Sequence, residues 1–523
     1  MKLRDTSDFQ LKLKNLLLEV WDVKFFALLF IGFLTVYVFS LFKVHNYLYP
    51  KGEIFLLVVV TLLGISCITY YSKRKDQLHR VALVIILSFG LISVFLTPMV
   101  DVLDEREHFI RAEMTSRGVI FPEYNYTTKT YPTIKSVQDV EKALRDAAGR
   151  QTQTHLTVFN TNLDTQQIDY SRGAVGSAFV QNPFFGYLAP AIGIDIAKGL
   201  DLNVAWMLWL GRLCNLLMYA LVCAYAIKKS PIFKIQLLAV ACLPLAIYYA
   251  ASTSIDAMIN SFALLIIAYF FYMYKSPDSS LDWKHLLIFF SLCLICGFSK
   301  VTYMALSLLI LVVPLSKFKL KRYYLAGGLG IVGVLLLTLS WTSYVLPLSM
   351  NSWRGSSYLI RGVNSTQQVK FIMAHPTKTG VMFLNFLDYI PLKFQQLFDF
   401  SLTTSVYTSR FLAFFYSIYF ALLTFLYPSH TRITKKSRIG TFLVVALIFF
   451  GTYLVQYLSW EPVGAATVVG VFSHYLIPLL ALLPFTFGLN QENELVENQD
   501  MWVVTLMVAF LAGMLILTLV NCY

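Results

Sequence analysis

The sequence predicts an all-α polytopic membrane protein of about thirteen transmembrane helices, and three observations predict it. Charged residues make up only 14% of the 523 positions, against roughly 25% in a soluble domain. Hydrophobic residues reach 57%, and mean hydropathy is +0.64. Apolar runs of about 18–24 residues, long enough to cross a bilayer core, recur along the chain. Phe and Tyr are abundant, at 42 and 31 residues, as suits interfacial belts and helix packing in lipid. The net charge of +13 raises the question of nucleic acid. The cations cluster in short links between apolar runs, as the positive-inside rule requires, so no nucleic-acid partner is expected. Six of the seven cysteines fall in apolar runs and Cys522 is next to the last residue. No disulfide framework is expected.

In chain order, residues 9–22 carry Phe9, Leu11, Leu13, Leu16, Leu17, Val20 and Trp21 at helical spacing, which predicts an amphipathic helix lying on the membrane. The segment is too long and too acidic for a signal n-region, so the first apolar run is expected to stay as a signal anchor. Spans are predicted at 25–44, 53–72 and 81–98, then at 204–227, 233–251, 255–274, 284–299, 301–316, 323–346, 408–427, 438–458, 467–489 and 501–521. The links YYSKRKDQLHR, KKSPIFK, KSPDSSLDWK, SKFKLKRYY and PSHTRITKKSR are basic and should be cytoplasmic. The N-terminus is then cytoplasmic and residues 99–182 are outside.

Five regions follow. Residues 1–98 hold the cytoplasmic amphipathic N-terminus and the first three spans. Residues 99–203 form an outer segment with an acidic patch and a re-entrant or interfacial helix pair in NPFFGYLAPAIGIDIAKGL. Residues 204–346 are the transmembrane core, 347–407 an outer segment with an interfacial helix, and 408–523 the last spans. Within the first outer segment a helix should begin at Ser136, with Asp139 three residues on, a stripe of Val137, Val140, Leu144 and Ala147, and Gly149 as the stop. His155–Phe159 alternates like a short strand.

The chemistry concentrates in PMVDVLDEREHFIRAEMTSRG, residues 98–118. Asp104 should open a helix from Glu105 to Arg117, with Glu107 at capping-box spacing and Gly118 as its stop. Glu105, His108 and Ala112 would share a face. A carboxylate here, Asp104 first and Glu105 second, can take a proton from an acceptor hydroxyl. The same residues read equally as a helix cap and headgroup contacts. Asp101, Asp104, Glu105 and His108 could hold a divalent cation, Mg or Mn, but the spacing is unspecific and no metal ligand is assigned. Arg212 lies within an apolar run, with Asn215 one turn on; an intramembrane arginine is functional by default, and the alternative is a structural pair with a carboxylate or backbone carbonyls. Lys300 and Arg410 fall at outer span ends, where the alternative is ordinary snorkelling. His474 lies about two turns into its span. These four cations would suit a lipid phosphate at headgroup depth, with His108, Arg111 and Asp256 as substrate contacts. There is no Gly-rich phosphate loop, CxxC, HExxH or GxSxG.

Pro98, Asp104, Glu105, His108, Phe109, Arg111, Ala112 and Gly118 together form a pattern that resembles a bacterial family of predicted polytopic membrane proteins. That family is catalogued as a domain of unknown function and assigned to the C-type (GT-C) glycosyltransferase superfamily. Further pieces recur in order: Arg212 and Asn215 in RLCNLLMYALVCAYAIKKSP; Ser252, Ser254 and Asp256 in LPLAIYYAASTSIDAM; Lys300, Tyr303 and Pro314 in SKVTYMALSLLILVVP. The late motif departs, with Ser473, His474 and Tyr475 where the family often has Gly-Arg-Tyr. The resemblance covers roughly residues 80–490, and the spans before it look like an addition. It implies a GT-C-like fold, an active site in the first outer loop and a polyprenyl-phosphate-linked sugar as donor. The expected function is a glycosyltransferase of the bacterial plasma membrane acting on a cell-envelope polysaccharide or teichoic-acid-like acceptor. The alternatives are a flippase or other transporter of lipid-linked sugars, or a polysaccharide polymerase or ligase.

Overall fold

The structure is a computed structural model, and it describes residues 15, 18–44, 50–148, 155–157, 163–177, 179–351, 362–398, 410–468, 470–488 and 494–523. The predicted surface helix at 9–22 therefore lies largely outside the described residues.

The chain is a polytopic helical membrane protein. It opens with three long apolar helices, α1 (Lys24–Val44), α2 (Pro50–Lys73) and α3 (Leu78–Leu96). A polar cap follows: α4 (Glu105–Ser116), strand β1 (Tyr131–Ile134), α5 (Lys135–Ala148), strand β2 (Arg172–Val175) and α6 (Leu188–Gly199). The core then contains α7 (Val204–Lys229), α8 (Lys234–Ala241), α9 (Pro244–Ala250), α10 (Asp256–Lys275), α11 (Trp283–Ser299), a 3-10 helix at Val301–Val312 and α12 (Lys321–Asn351). Three short helices come next, α13 (Ser365–Ala374), α14 (Pro376–Asn385) and α15 (Tyr389–Phe398). The last part holds α16 (Arg410–Leu426), α17 (Lys435–Trp460), a 3-10 helix at Ser473–Leu482, α18 (Leu483–Phe487) and α19 (Gln499–Cys522).

Among the described residues, eight helices are long and apolar enough to cross a membrane: α1, α2, α3, α7, α10, α12, α17 and α19. The other predicted spans are shorter or broken. The run 233–251 is split into α8 and α9, because Pro244 has no N–H and its ring drives Leu243 to extended backbone (ψ 131°). The run 301–316 begins as a 3-10 helix, and the run 467–489 becomes helical only at Ser473, also as a 3-10 helix.

The centre of the bundle is α7, which packs on α3, α6 and α10. Its contact with α6 is backbone-close. A Cβ at Gly193 would lie 2.0 Å from the Leu210 carbonyl oxygen. Only glycine permits that approach, and small residues at helix crossings are what let helices associate closely in lipid. α10 and α19 are buried along most of their length.

The cap differs from expectation in detail. Its sheet is an antiparallel pair, β1 with β2, in the register Tyr131↔Val175 to Ile134↔Arg172. Residues 155–157 form no strand, and the rest of that predicted strand is outside the described residues. Instead the Met99 N–H donates to the Leu156 carbonyl at 2.7 Å, tying this segment to the end of the third span. Helix α5 starts one residue before Ser136, whose hydroxyl accepts from the Asp169 N–H at 2.7 Å rather than capping. The expected outer interfacial helix is three helices, because Pro376 starts a new one after His375 and a 3-10 turn interrupts at Phe386–Asp388.

Candidate functional site

Most of the candidate residues whose side chains are described gather at one end of the bundle, where α3 ends and α10 begins. Asp104 is the residue before α4 and adopts a left-handed backbone (φ 62°, ψ 7°), with no side-chain capping bond. The capping role expected of it is corrected here: in this backbone state the carboxylate does not reach back over the first turn. Glu107, expected to complete a capping box, pairs with Arg106 and accepts from the Ser177 hydroxyl. Aspartate tolerates the left-handed region better than most residues. Gly118, at φ +76°, ends the segment as predicted.

Glu105 faces inward and is fully buried. Its two oxygens accept from Arg212 Nε at 2.8 Å and Nη2 at 2.6 Å, a two-pronged pair. Arg212 spends its remaining donors on the carbonyls of Val94 and Thr97 (2.9 and 2.8 Å, from Nη1) and of Pro98 (2.7 Å, from Nη2). Every N–H of this guanidinium is therefore engaged. The phosphate-binding role expected of Arg212 does not fit, because it has no donor left. The base role expected of Glu105 meets the same obstacle, since its carboxylate is locked in the ion pair and closed to solvent.

The clamp extends to the turn before α10. Glu105 Oε1 accepts the Thr253 N–H at 3.1 Å. Asn215, on the same face of α7 as Arg212, donates to the Ser252 and Ser254 carbonyls at 2.7 and 2.9 Å. The Ser254 hydroxyl accepts the Asp256 N–H and donates to Asp256 Oδ2, both at 3.1 Å. α7 thus presents one residue to the start of α4 and one to the start of α10.

Asp256 anchors the polar cluster. His474 Nε2 lies 3.5 Å from its Oδ2. His474, Lys300 and His108 all act on it electrostatically. The His474 ring sits between Tyr249 and Tyr475, with centroids 4.2 and 4.3 Å away. Lys300 Nζ stands 3.0 Å above the Tyr475 ring, a cation–π contact. Tyr303 donates to the Tyr475 carbonyl at 2.8 Å. Tyr249 lies within electrostatic range of both Asp256 and Asp104.

His108 and Arg111 lie within the cap. Asn182 Nδ2 donates to the Tyr187 hydroxyl at 3.0 Å, and that hydroxyl lies 2.7 Å from His108 Nδ1. The hydroxyl's own proton then goes to Nδ1, which fixes the neutral Nε2–H tautomer. Burial agrees, pushing this imidazole down to about 4. Arg111 is fully buried and donates to the carbonyls of Asn182, Val119 and Ile120 and to the Thr115 hydroxyl, each at 3.0 Å. It binds the cap together instead of facing a substrate.

Arg410 begins α16, and its side chain lies outside the described residues. Asp101, Asp104, Glu105 and His108 do not converge as a cation site: Glu105 is taken by Arg212, and Asp101 turns to His155 at 3.0 Å. One residue was missed. Lys393 on α15 acts electrostatically on His474, donates to Gln396 Oε1 at 2.9 Å, and has its ammonium pKa lowered by burial. Its signal was a lysine inside an apolar amphipathic stretch. The aromatic wall of Tyr249 and Tyr475 carried no comparable signal, since tyrosines are common throughout this chain.

A family model described as Predicted membrane protein (DUF2142) matches residues 87–483, roughly three-quarters of the chain. No curated protein and no solved structure matches it.

Proposed function

The chain belongs to the DUF2142 family of predicted membrane proteins, and from that premise we propose that it is a membrane glycosyltransferase of the GT-C type. It moves a sugar from a polyprenyl-phosphate carrier to an extracytoplasmic cell-envelope polysaccharide or teichoic-acid-like acceptor. The observation that carries this reading is the Asp256–His474 contact beside Lys300, next to Tyr249, which lies within electrostatic range of Asp104. A carboxylate and a group of basic residues near one end of an apolar bundle would suit a substrate with a lipid tail and a phosphate head.

In this reading Asp104 takes the proton of an acceptor hydroxyl as its oxygen attacks the anomeric carbon. The bond from that carbon to the phosphate oxygen breaks, and the lipid phosphate leaves with the electron pair. It needs no proton, because Lys300, Lys393 and His474 stabilise its charge. Glu105, Arg212 and Asn215 are positioning residues that fix the starts of α4 and α10. No nucleotide-binding domain is needed when the donor is a lipid.

The test uses purified protein in lipid with a synthetic polyprenyl-phosphate sugar and envelope polymers as acceptors. Wild type should transfer the sugar. Asp104→Asn should lose about 10²–10⁴ of the rate while keeping the wild-type melting temperature. Glu105→Gln should instead lose stability, by about 3–5 kcal/mol for a broken buried pair. Wild-type transfer by Asp104→Asn removes the base assignment. Movement of the lipid-linked sugar across the bilayer without cleavage replaces the enzyme with a transporter.

A further inference from the structure

Three residues outside the proposed reaction site converge behind it. Asp101 lies in the link between α3 and α4, His155 in the extended segment of the cap, and Cys522 at the end of α19. One ligand atom from each lies within 4.8 Å of the other two. Asp101 Oδ1 is already 3.0 Å from His155 Nδ1. Asp101 Oδ2 is buried and has no hydrogen-bond partner. Cys522 is a free, partly buried thiol. Arg212 and Tyr248 are close enough to interact electrostatically with Asp101, so the trio sits against the back of the Glu105–Arg212 clamp.

We propose that Asp101, His155 and Cys522 bind a zinc ion that ties α19 and the cap to the link bearing Asp104. The ligand chemistry selects the metal. A thiolate, an imidazole and a carboxylate form a mixed soft and borderline set, which suits zinc and is foreign to magnesium or calcium. In a tetrahedral site with bonds of about 2.0–2.3 Å, neighbouring ligands stand about 3.3–3.8 Å apart. Charge also balances. The carboxylate and the thiolate together cancel the ion's two positive charges, so the complex adds no net charge beside the buried Arg212. Binding releases the thiol proton to solvent. The oxygen that lacks a partner gains one, and water completes the fourth position. The ion is a staple that joins three segments distant in sequence.

The experiment uses the full chain purified in detergent with its tag removed. The protein is stripped with a chelator, loaded with Zn²⁺ alone, desalted and analysed for metal. Wild type should retain one zinc per chain in the presence of excess Mg²⁺. Cys522→Ser and His155→Gln should lose it while remaining monodisperse. Co²⁺ in place of zinc should give wild type a thiolate-to-cobalt charge-transfer band that Cys522→Ser lacks. The proposal is overturned if wild type keeps no more zinc than Cys522→Ser, or if cobalt gives wild type no thiolate band. The cobalt result is read on the wild-type protein, so it stands even where a variant fails to fold. Metal content is independent of sugar transfer, so this result and the glycosyltransferase reading succeed or fail separately.

Discussion

Asp104 and Glu105 are adjacent acids with opposite fates, and the difference arises at a single backbone angle. A left-handed Asp104 keeps its own carboxylate off the helix end and sends Glu105 into the bundle, where Arg212 meets it. Helical phase correctly put Glu105 and His108 on one face, yet it could not say that the face is turned to the interior. The ion pair links residues 107 positions apart, and no local pattern encodes such a pairing. His108 carries a pH prediction. Its folded-state pKa is about 4, below the roughly 6.5 of an unfolded histidine. The unfolded chain then binds the extra proton, so the stabilisation is complete above about pH 6.5 and is lost as pH falls toward 4. Near pH 5 the loss should be about 2 kcal/mol. Thermal melts near neutral pH and near pH 5 should show the drop in wild type and a smaller one in His108→Gln. Equal drops would mean that His108 is protonated in the folded state.

At the scale of elements, α7 decides the geometry, because one face of it holds both the start of α4 and the start of α10. Its own place is set by the backbone contact between Gly193 and Leu210. Gly193→Ala must push α6 off α7, and the expected cost is about 1–3 kcal/mol, seen as a lower melting temperature. Gly199 on the same helix has nothing within 4 Å of an added Cβ, so Gly199→Ala is the control and should melt as wild type. If both melt alike, the close crossing does not matter to stability. Several elements were readable from the chain: the long spans by hydropathy, α4 by Gly118 and its acidic start, α5 by its apolar stripe. The β1–β2 pair was not, since each strand has four residues and its partner lies about forty positions away. The break at Leu243–Pro244 was visible as a proline, but the surrounding apolar run hid its effect.

For the whole molecule, the distribution of charge predicts an orientation. Exposed Lys284 sits in a link expected inside, and exposed Glu123 in the cap expected outside. In intact cells a membrane-impermeant thiol reagent should label Glu123→Cys, and should label Lys284→Cys only after permeabilisation. The reverse pattern would put the cap in the cytoplasm. The class of protein was legible because hydropathy is a property of composition. The site was legible only in part. Asp104, Asp256 and Lys300 were identified as charged groups near span ends and His474 as one about two turns into its span, and the meeting of Asp256, Lys300 and His474 depends on how α10 and both 3-10 helices pack. Lys393 joins them only through that packing.

Those two 3-10 helices have a consequence for reach. A 3-10 helix rises about 2.0 Å per residue and an α-helix about 1.5 Å. The twelve residues from Val301 to Val312 therefore extend about 24 Å, a distance that takes about sixteen α-helical residues. The rungs Tyr303, Leu306 and Leu309 repeat every third residue and are all fully buried. Lys300 caps the first stretched helix, His474 stands in the first turn of the second, and Tyr303 ties the two together through the Tyr475 carbonyl. Both basic residues are thereby held by stretched segments with no loop between helix and side chain. The phosphate they would grip meets a fixed ledge rather than a pair of swinging arms.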